Sequence, residues 1–550
     1  MFPIKYRVNN VYVICGFAAI GGGLFGFDIS SMSGIIGTQA YKSYFDNPKS
    51  YTQGAITASM PAGSLVGSLC SSFLADRYSR KVAMQTSCLL WIFGSALQSG
   101  ALNIAMLCAG RAIAGLGVGI SSTVVPVYQA EIAPRDIRGR VVSLQQCAIT
   151  WGILIQYFVQ YAAAQSIGNG PEDPDQPPIA FRIPWAVQIT PALIMLAGVS
   201  SFPHSPRWLA TQNRWADMFE VLADLHGGGD KRHPLVLAEY RDIEETLRME
   251  RREGITSMRN LFQRRLLKRL MLGMSVQAWS QLCGMNIMMY YIVYIMQGSQ
   301  MASPLLTASI QYIINVVFTV PAIMYLDRWG RRPSLVVGSF CMMALFFISG
   351  AVQQYFGRPN TEDTRTPGNR DISWLVEGNR GAAVAVVACS YMFVATFATT
   401  WGPTSWTYPA EIFPGSIRTR AVSLSTATNW CANMVLAFTV PPLLWKINYQ
   451  TYYIFGALNC IAFVHMFFAA HETRGFTLEE MDDVFDAGEP AWRKVSRPSR
   501  ITALERNIAN GTITVETPFS GSRRESFECT TKVDGFGGVA THITTIDQTL

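Results

Sequence analysis

The sequence predicts an all-α polytopic membrane protein of about twelve helices in two related halves of six, on three observations. Charge is scarce: Asp, Glu, Lys and Arg make up 15% of the 550 residues and hydrophobic residues 49%, against ~25% charged in a soluble domain. Runs of about 20 mostly apolar residues, long enough to cross ~30 Å of hydrocarbon, recur along the chain. Two charged cassettes also repeat in the same order. LADRYSRK from Leu74 returns as LDRWGRRP from Leu326, and EIAPRDIRGR from Glu131 returns as EIFPGSIRTR from Glu411. The aspartates stand 251 residues apart and the glutamates 280, a difference that one inserted loop explains. Such a repeat is far longer than a solenoid period and suits two homologous bundles.

In chain order the apolar stretches cover 11–33, 54–75, 82–101, 103–126, 141–162, 183–202, 269–298, 306–326, 334–354, 381–408, 420–445 and 451–470. Helix is the conformation that satisfies every backbone group within one such segment in lipid. The first stretch is interrupted by Asp28 and lacks a small-residue cleavage site, so we read it as a retained helix. Loops after the second and fourth stretches carry Arg77, Arg80, Lys81, Arg135, Arg138 and Arg140. Those after the eighth and tenth carry Arg328, Arg331, Arg332, Arg418 and Arg420. The positive-inside rule places these loops and both termini in the cytoplasm.

The acidic, Pro-rich 163–182 and the Gly- and Asn-rich 355–380 then read as external loops. The resulting organisation is a cytoplasmic N-terminus (1–10), an N-terminal six-helix bundle (11–204), a cytoplasmic helical linker (205–268), a C-terminal bundle (269–472) and a largely disordered cytoplasmic tail (473–550). The linker interleaves Glu239, Asp242, Glu244, Glu245 and Arg248 at helical spacing, as a solvated helix does. The tail is rich in Ser, Thr, Gly and charge.

Several functions are disfavoured at once. Ten of the 11 cysteines fall in or beside apolar stretches, and no CxxC or Cys/His metal spacing exists, so they read as packing residues. The isolated histidines offer no triad or metal spacing, which argues against an enzyme, a metal and any cofactor. The net charge of +7 resides mainly in residues flanking apolar stretches, so topology accounts for it without nucleic acid.

The cassettes hold acids in otherwise basic loops, and acids contribute little to topology. Asp76, Glu131, Asp327 and Glu411, facing Arg77, Arg80, Arg138, Arg328, Arg331 and Arg418, would form ion pairs that hold the cytoplasmic face shut. Within the stretches, polar groups are costly and mark a path. Gln281 and Asn286 flank Gly284 in the seventh, and a break there would let residues five apart face one cavity. Carboxamides both donate and accept, matching adjacent sugar hydroxyls. Asp28 and Arg111 would each be expensive alone, and pairing offsets much of that cost. A carboxylate that ionises only when its arginine is near would couple a proton to conformation.

The repeated Asp-Arg-x-x-Arg, SPRWLA from Ser205, EIFPGSIR from Glu411 and HETRGFTLEEMD from His471 together resemble the sugar porter family of the major facilitator superfamily. FGFDISSMSG from Phe25 and WSQLCGMNIMMYY from Trp279 look most like its fungal high-affinity monosaccharide transporters. The resemblance implies sugar contacts at Gln146, Asn315, Trp406 and Asn429 beside Gln281 and Asn286, and adds Glu472 to the cytoplasmic ion pairs. A Trp face suits the apolar side of a pyranose. Three positions depart from the family pattern: Ser280 replaces a first glutamine, His204 a glutamate before Ser-Pro-Arg, and His471 a proline. The expected protein is a plasma-membrane carrier for a monosaccharide, with glucose foremost and a co-transported proton, lodged in the lipid bilayer. A facilitative uniporter and a non-transporting sensor are the alternatives.

Overall fold

The computed structural model describes residues 8–35, 38–46, 48, 50–168, 173, 175–252, 261–290, 304–359, 374–376, 379–415, 417–476, 478, 480–486, 490–493, 500–510, 527–533 and 539–545. In the N-terminal half, Val11–Ser33, Ser50–Arg77, Arg80–Ser99, Ile104–Ile132 and Arg138–Ser166 are the first five spans, and Ile179–Val187 with Ile189–Val199 forms the sixth. In the C-terminal half, the seventh is Arg264–Leu282 followed by Met285–Tyr290, the eighth Pro304–Trp329 and the ninth Arg331–Phe356. The tenth is Arg380–Thr399 with Trp401–Ile412, the eleventh Arg418–Lys446 and the twelfth Gln450–Ala469.

Among the described residues, nine of these stretches are long and apolar enough to cross a membrane by length and composition alone. The third, seventh and eleventh are helices too, but carry charged starts such as Arg80 and Arg264 or buried polar residues such as Asn429 and Asn433. Large apolar side chains including Phe73, Leu89, Phe93, Val337 and Phe340 stay exposed on the outside, the belt that lipid covers. The predicted loop residues 360–373 and the end of the seventh stretch, 291–298, lie outside the described residues.

Two helix breaks matter later. Gly284 takes a φ of +95°, a conformation that separates Leu282 from Met285 and that a side chain would disfavour. Thr400 leaves helical geometry, and Pro403 has no N–H to bond back to Thr399.

Within the first half, the second span packs against the fourth, and the first against the fifth. The second–fourth seam is made of small residues on both sides: a Cβ on Gly63 would lie 2.0 Å from the Ala112 carbonyl oxygen, and one on Gly119 2.1 Å from that of Ser64. Lipid gives helices no hydrophobic reason to associate, so such close backbone approach supplies the packing energy. The halves meet where the second span packs on the eleventh and the fifth on the eighth. Those two contacts exchange under the repeat, because the first cassette maps the second span to the eighth and the second maps the fifth to the eleventh.

The linker folds as Pro206–Thr211, Trp215–His226 and Pro234–Arg252 around its own core of Trp208, Leu209, Phe219, Leu222, Val236 and Tyr240. Its outer face is charged, with Arg241 bonded to Glu245 and Arg248 to Glu244 at i,i+4 spacing. Among the described residues, the tail contains helices Met481–Asp486 and Arg500–Ala509 and a hairpin pairing Phe527–Val533 with Val539–Thr545. The short helix is fixed by Asp482, which binds Arg269, and the longer one packs on Pro234–Arg252. Its polar composition concealed those few anchoring contacts.

Replacing Gly119 with Val should destabilise the protein by about 1–3 kcal/mol by forcing the second and fourth spans apart. The thermal midpoint of the purified protein in detergent measures it, and a midpoint equal to wild type would remove the seam from the account.

Candidate functional site

The break at Gly284 brings together side chains that an unbroken helix would turn apart. Asn286 Nδ2 donates to Gln281 Oε1 at 2.7 Å, and Gln281 Nε2 donates to Asn429 Oδ1 at 2.7 Å. Asn433 Nδ2 joins the same Gln281 oxygen at 3.1 Å, and Ser280 Oγ donates to Asn429 Oδ1 at 3.2 Å. All five are buried. The result is a carboxamide cluster between the seventh and eleventh spans, with Asn429 Nδ2 and Asn433 Oδ1 left over as unfilled donor and acceptor.

In the other half, Gln146 Oε1 accepts from Trp406 Nε1 at 3.2 Å. Phe25 of the first span stands edge-on to Trp430 and Trp406, with ring centroids 4.7 and 6.4 Å apart. Trp430 Nε1 in turn donates to Ser122 Oγ at 3.1 Å, so both tryptophans of the C-terminal half are bonded to the N-terminal half. Asn315 is buried on the eighth span, but among the described residues its side-chain oxygen has no hydrogen-bond partner.

Asp28 and Arg111 are adjacent and fully enclosed. Arg111 Nη1 lies 3.3 Å from Asp28 Oδ1, and Nη2 3.3 Å from Oδ2. Arg111 also donates to the Ile56 carbonyl at 3.0 Å and to Ser31 Oγ at 3.3 Å, while Ser31 Oγ donates to the Asp28 carbonyl at 2.8 Å. Removing either charge would strand the other in the bundle, a loss of about 3–5 kcal/mol for a buried pair.

At one end of the bundle the two cassettes build matching clusters. Arg80 bonds Glu131 at 3.1 Å and approaches Asp76 at 3.5 Å; Arg331 bonds Glu411 at 2.7 Å and Asp327 at 3.0 Å. Each cluster then reaches across. Arg420 Nε meets Asp76 at 3.1 Å, and on the related side the Arg140 backbone N–H donates to Asp327 at 3.0 Å with its Nε at 3.6 Å. Arg80 also donates to Thr419 of the opposite half at 2.9 Å. At Gly139 a Cβ would stand 2.0 Å from Asp327 Oδ1, so the halves touch with no room for a side chain there. Glu472 accepts from the Arg331 and Arg332 backbone N–H groups at 2.9 and 3.2 Å, capping the ninth span. Glu411 also accepts the Thr473 hydroxyl at 2.6 Å.

Two arginines assigned to this latch from the sequence stand on the surface instead. Arg77 and Arg328 are exposed and lie over their own helices' Tyr78 and Tyr325, 5.9 and 5.8 Å from the ring centroids. Arg418 donates to the Phe413 carbonyl within its own loop at 3.1 Å. Arg138 is buried, and its charge acts on Glu239 of the linker. Crossing ion pairs are made by Arg140 and Arg420, two residues beyond Arg138 and Arg418, where the helical phase turns a side chain to the other side. At the altered position before Ser-Pro-Arg, His204 stacks on Trp208 with ring centroids 5.1 Å apart, and Ser205 supplies the bond to Glu131. Burial, then Lys81 and Arg214 nearby, push the His204 pKa down to about 4, so the ring is neutral at ordinary pH.

The family described as "Sugar (and other) transporter" matches residues 14–485. The chain belongs to this family of multi-pass membrane carriers. It is 57% identical over 510 residues to the MFS glucose transporter mfs1 of Aspergillus flavus, covering 92% of this chain and 96% of that one. It is 41% identical over 494 residues to the high-affinity glucose transporter of Kluyveromyces lactis, covering 88% and 87%. Among solved structures, the proton:xylose symporter XylE bound to 6-bromo-6-deoxy-D-glucose superposes with a TM-score of 0.73 at 26% identity, covering 88% of this chain and 100% of that one. Inward-open XylE from E. coli gives 0.62 at 26% identity, over 86% and 99%.

Arg420→Ala and Arg140→Ala should each raise the population open to the cytoplasm by roughly 2- to 5-fold, the size of a partly exposed ion pair. Cytoplasmic alkylation of a cysteine at Ser423→Cys, which lies against Ser68 across the interface, reports the change. Arg77→Ala should leave that rate unaltered, and an equal effect from Arg77 would overturn the assignment.

Proposed function

We propose that this chain carries a hexose, glucose foremost, across the plasma membrane into the cell by alternating access, together with a proton. The observation that supports the cargo is the carboxamide cluster at the Gly284 break, together with Trp406 of the same half bonded to Gln146 of the other. Gln281, Asn286, Asn429 and Asn433 offer paired donors and acceptors at the spacing of neighbouring hydroxyls, and Trp406 and Phe25 offer apolar faces. The glucose transporters named among its relatives favour glucose within the hexoses.

Coupling rests on Asp28. Its carboxylate lies within a single ion pair with Arg111. Movement of the first span away from the fourth would leave it in an apolar site where the protonated form is favoured, and return would expel the proton. Both termini, the linker and the latch lie on the cytoplasmic side in this reading, in line with the basic loops.

Asn286→Ala and Gln281→Ala should each raise KM for glucose roughly 10-fold, the effect of about 1.4 kcal/mol of lost hydrogen bonding. Labelled uptake in cells stripped of other hexose carriers, competed by a panel of monosaccharides, measures this, and an unchanged KM would dismiss the cluster as the sugar site. Asp28→Asn should abolish accumulation against a gradient while sparing exchange. Wild-type uptake should also alkalinise an unbuffered medium, and uptake with no pH change would leave a uniporter.

A further inference from the structure

We propose that the cytoplasmic face holds a second proton-binding site at His226, separate from Asp28, whose occupation ties the linker helices to the inner end of the fourth span. His226 closes the helix Trp215–His226, and its side chain is 3% exposed. Nδ1 contacts a carboxylate oxygen of Glu239 on the helix Pro234–Arg252. Nε2 lies 2.8 Å from the Ile132 carbonyl oxygen. Both partners are acceptors. A neutral imidazole has one N–H and can serve only one of them, leaving a lone pair aimed at the other, whereas the imidazolium donates to both.

The place of the second bond gives the site its consequence. Ile132 is the last residue of the fourth-span helix, where carbonyls lack intrahelical partners and the helix dipole is negative, so a cation is favoured there. The residue before it is Glu131, which receives Arg80 and Ser205 in the inner latch, and Arg207 donates to the Glu131 carbonyl at 3.0 Å. Protonated His226 therefore fastens the linker directly behind the latch carboxylate. Loss of the proton removes one of the two bonds and sets a lone pair against an oxygen.

The charged groups around the ring come from every packed element. Glu239 faces it from Pro234–Arg252, Arg207 from Pro206–Thr211, Glu131 stands at the fourth-span end, and Arg138 from the fifth span acts on Glu239. Burial presses the ring toward neutrality and Arg207 adds to that. The Glu239 charge, its hydrogen bond and the Ile132 carbonyl outweigh both and hold the pKa above the ordinary histidine value. A raised pKa in the folded state means the tether is complete below ~6.5, the unfolded value, and is lost as pH climbs through the folded one. The neighbouring His204, held at about 4, stays neutral throughout that window.

The test uses the full-length purified protein and a readout that involves neither sugar nor Asp28. The thermal midpoint of wild type should fall by about 2–4 °C more than that of His226→Arg between about pH 6.5 and 8.5, because a guanidinium keeps its charge and donors at both ends. Parallel slopes for the two proteins would overturn the proposal. Glu239→Gln, which retains the histidine but removes the carboxylate, should move the pH of that fall downward toward ~6.5. An unmoved midpoint would equally overturn it, and this variant decides the matter if His226→Arg does not fold. Because neither arm measures transport, both stand whatever the cargo and coupling prove to be.

Discussion

A bilayer offers no hydrogen-bond partners to what lies within it, and that constraint governs the placement of every polar side chain inside this molecule. Serines and threonines on the spans mostly return their hydroxyls to a carbonyl three or four residues back, as Ser143 does to Gly139 and Ser339 to Leu335. Several larger polar groups reach another helix. Asp28 finds Arg111, Gln281 finds Asn429, Gln277 finds the Ser405 carbonyl, and Trp406 finds Gln146. Each such pair fixes two helices relative to each other. The pairs that cross between halves fix a conformation.

Two kinds of crossing contact are present, and their environments differ. Deep in the bundle, Trp406 with Gln146 and Trp430 with Ser122 are neutral and buried. At the cassette end, Asp76 with Arg420 and Asp327 with Arg140 are charged and partly wet, with side chains 12–43% exposed. Water and salt keep such ion pairs weak, each about 1 kcal/mol or less. Weakness suits their place. A latch built of deeply buried pairs would hold one state too firmly to cycle, whereas several small terms that break together make an interface with two accessible states. The buried partners Arg80 with Glu131 and Arg331 with Glu411 lie within a half and hold each cluster rigid while the crossing bonds open.

Much of the fold was legible because lipid demands a pattern that sequence displays directly. Apolar runs gave the helices, basic loops suggested their orientation, and the cassettes gave the two halves. Gly284 announced its break, since glycine between two polar residues in an apolar helix has few other uses, and Asn286 reaches Gln281 across it. Side-chain direction was not legible. Arg138 and Arg140 are equally basic and equally repeated, yet the fifth span aims only Arg140 at Asp327, and no residue-level property separates them before the helix is phased. Asn433 was passed over for a related reason: it is one turn from Asn429 and reads as ordinary packing until Gln281 is seen between them. The tail helices were hidden because their order comes from few contacts, such as Asp482 on Arg269, which composition averages away.

The carboxamide cluster has a consequence for energetics as well as recognition. In this conformation its members bond one another, with Asn429 Nδ2 and Asn433 Oδ1 left open among the described residues, and Gln146 accepts from Trp406 of the opposite half. Under the transport reading, a sugar entering here exchanges protein–protein bonds for protein–sugar bonds, so its net gain is small compared with the number of contacts it makes. Small net affinity is required of a carrier, which must release its cargo on the far side. What the sugar changes is the link between halves. A ring bonded at once to Gln146 on one side and Gln281 on the other takes over the bridging that Trp406 performs here, so occupied and empty sites can both hold the halves together. A partly filled site loses the Trp406 bridge without completing the replacement. Under the transport reading, this favours whole-ring recognition over binding of any fragment.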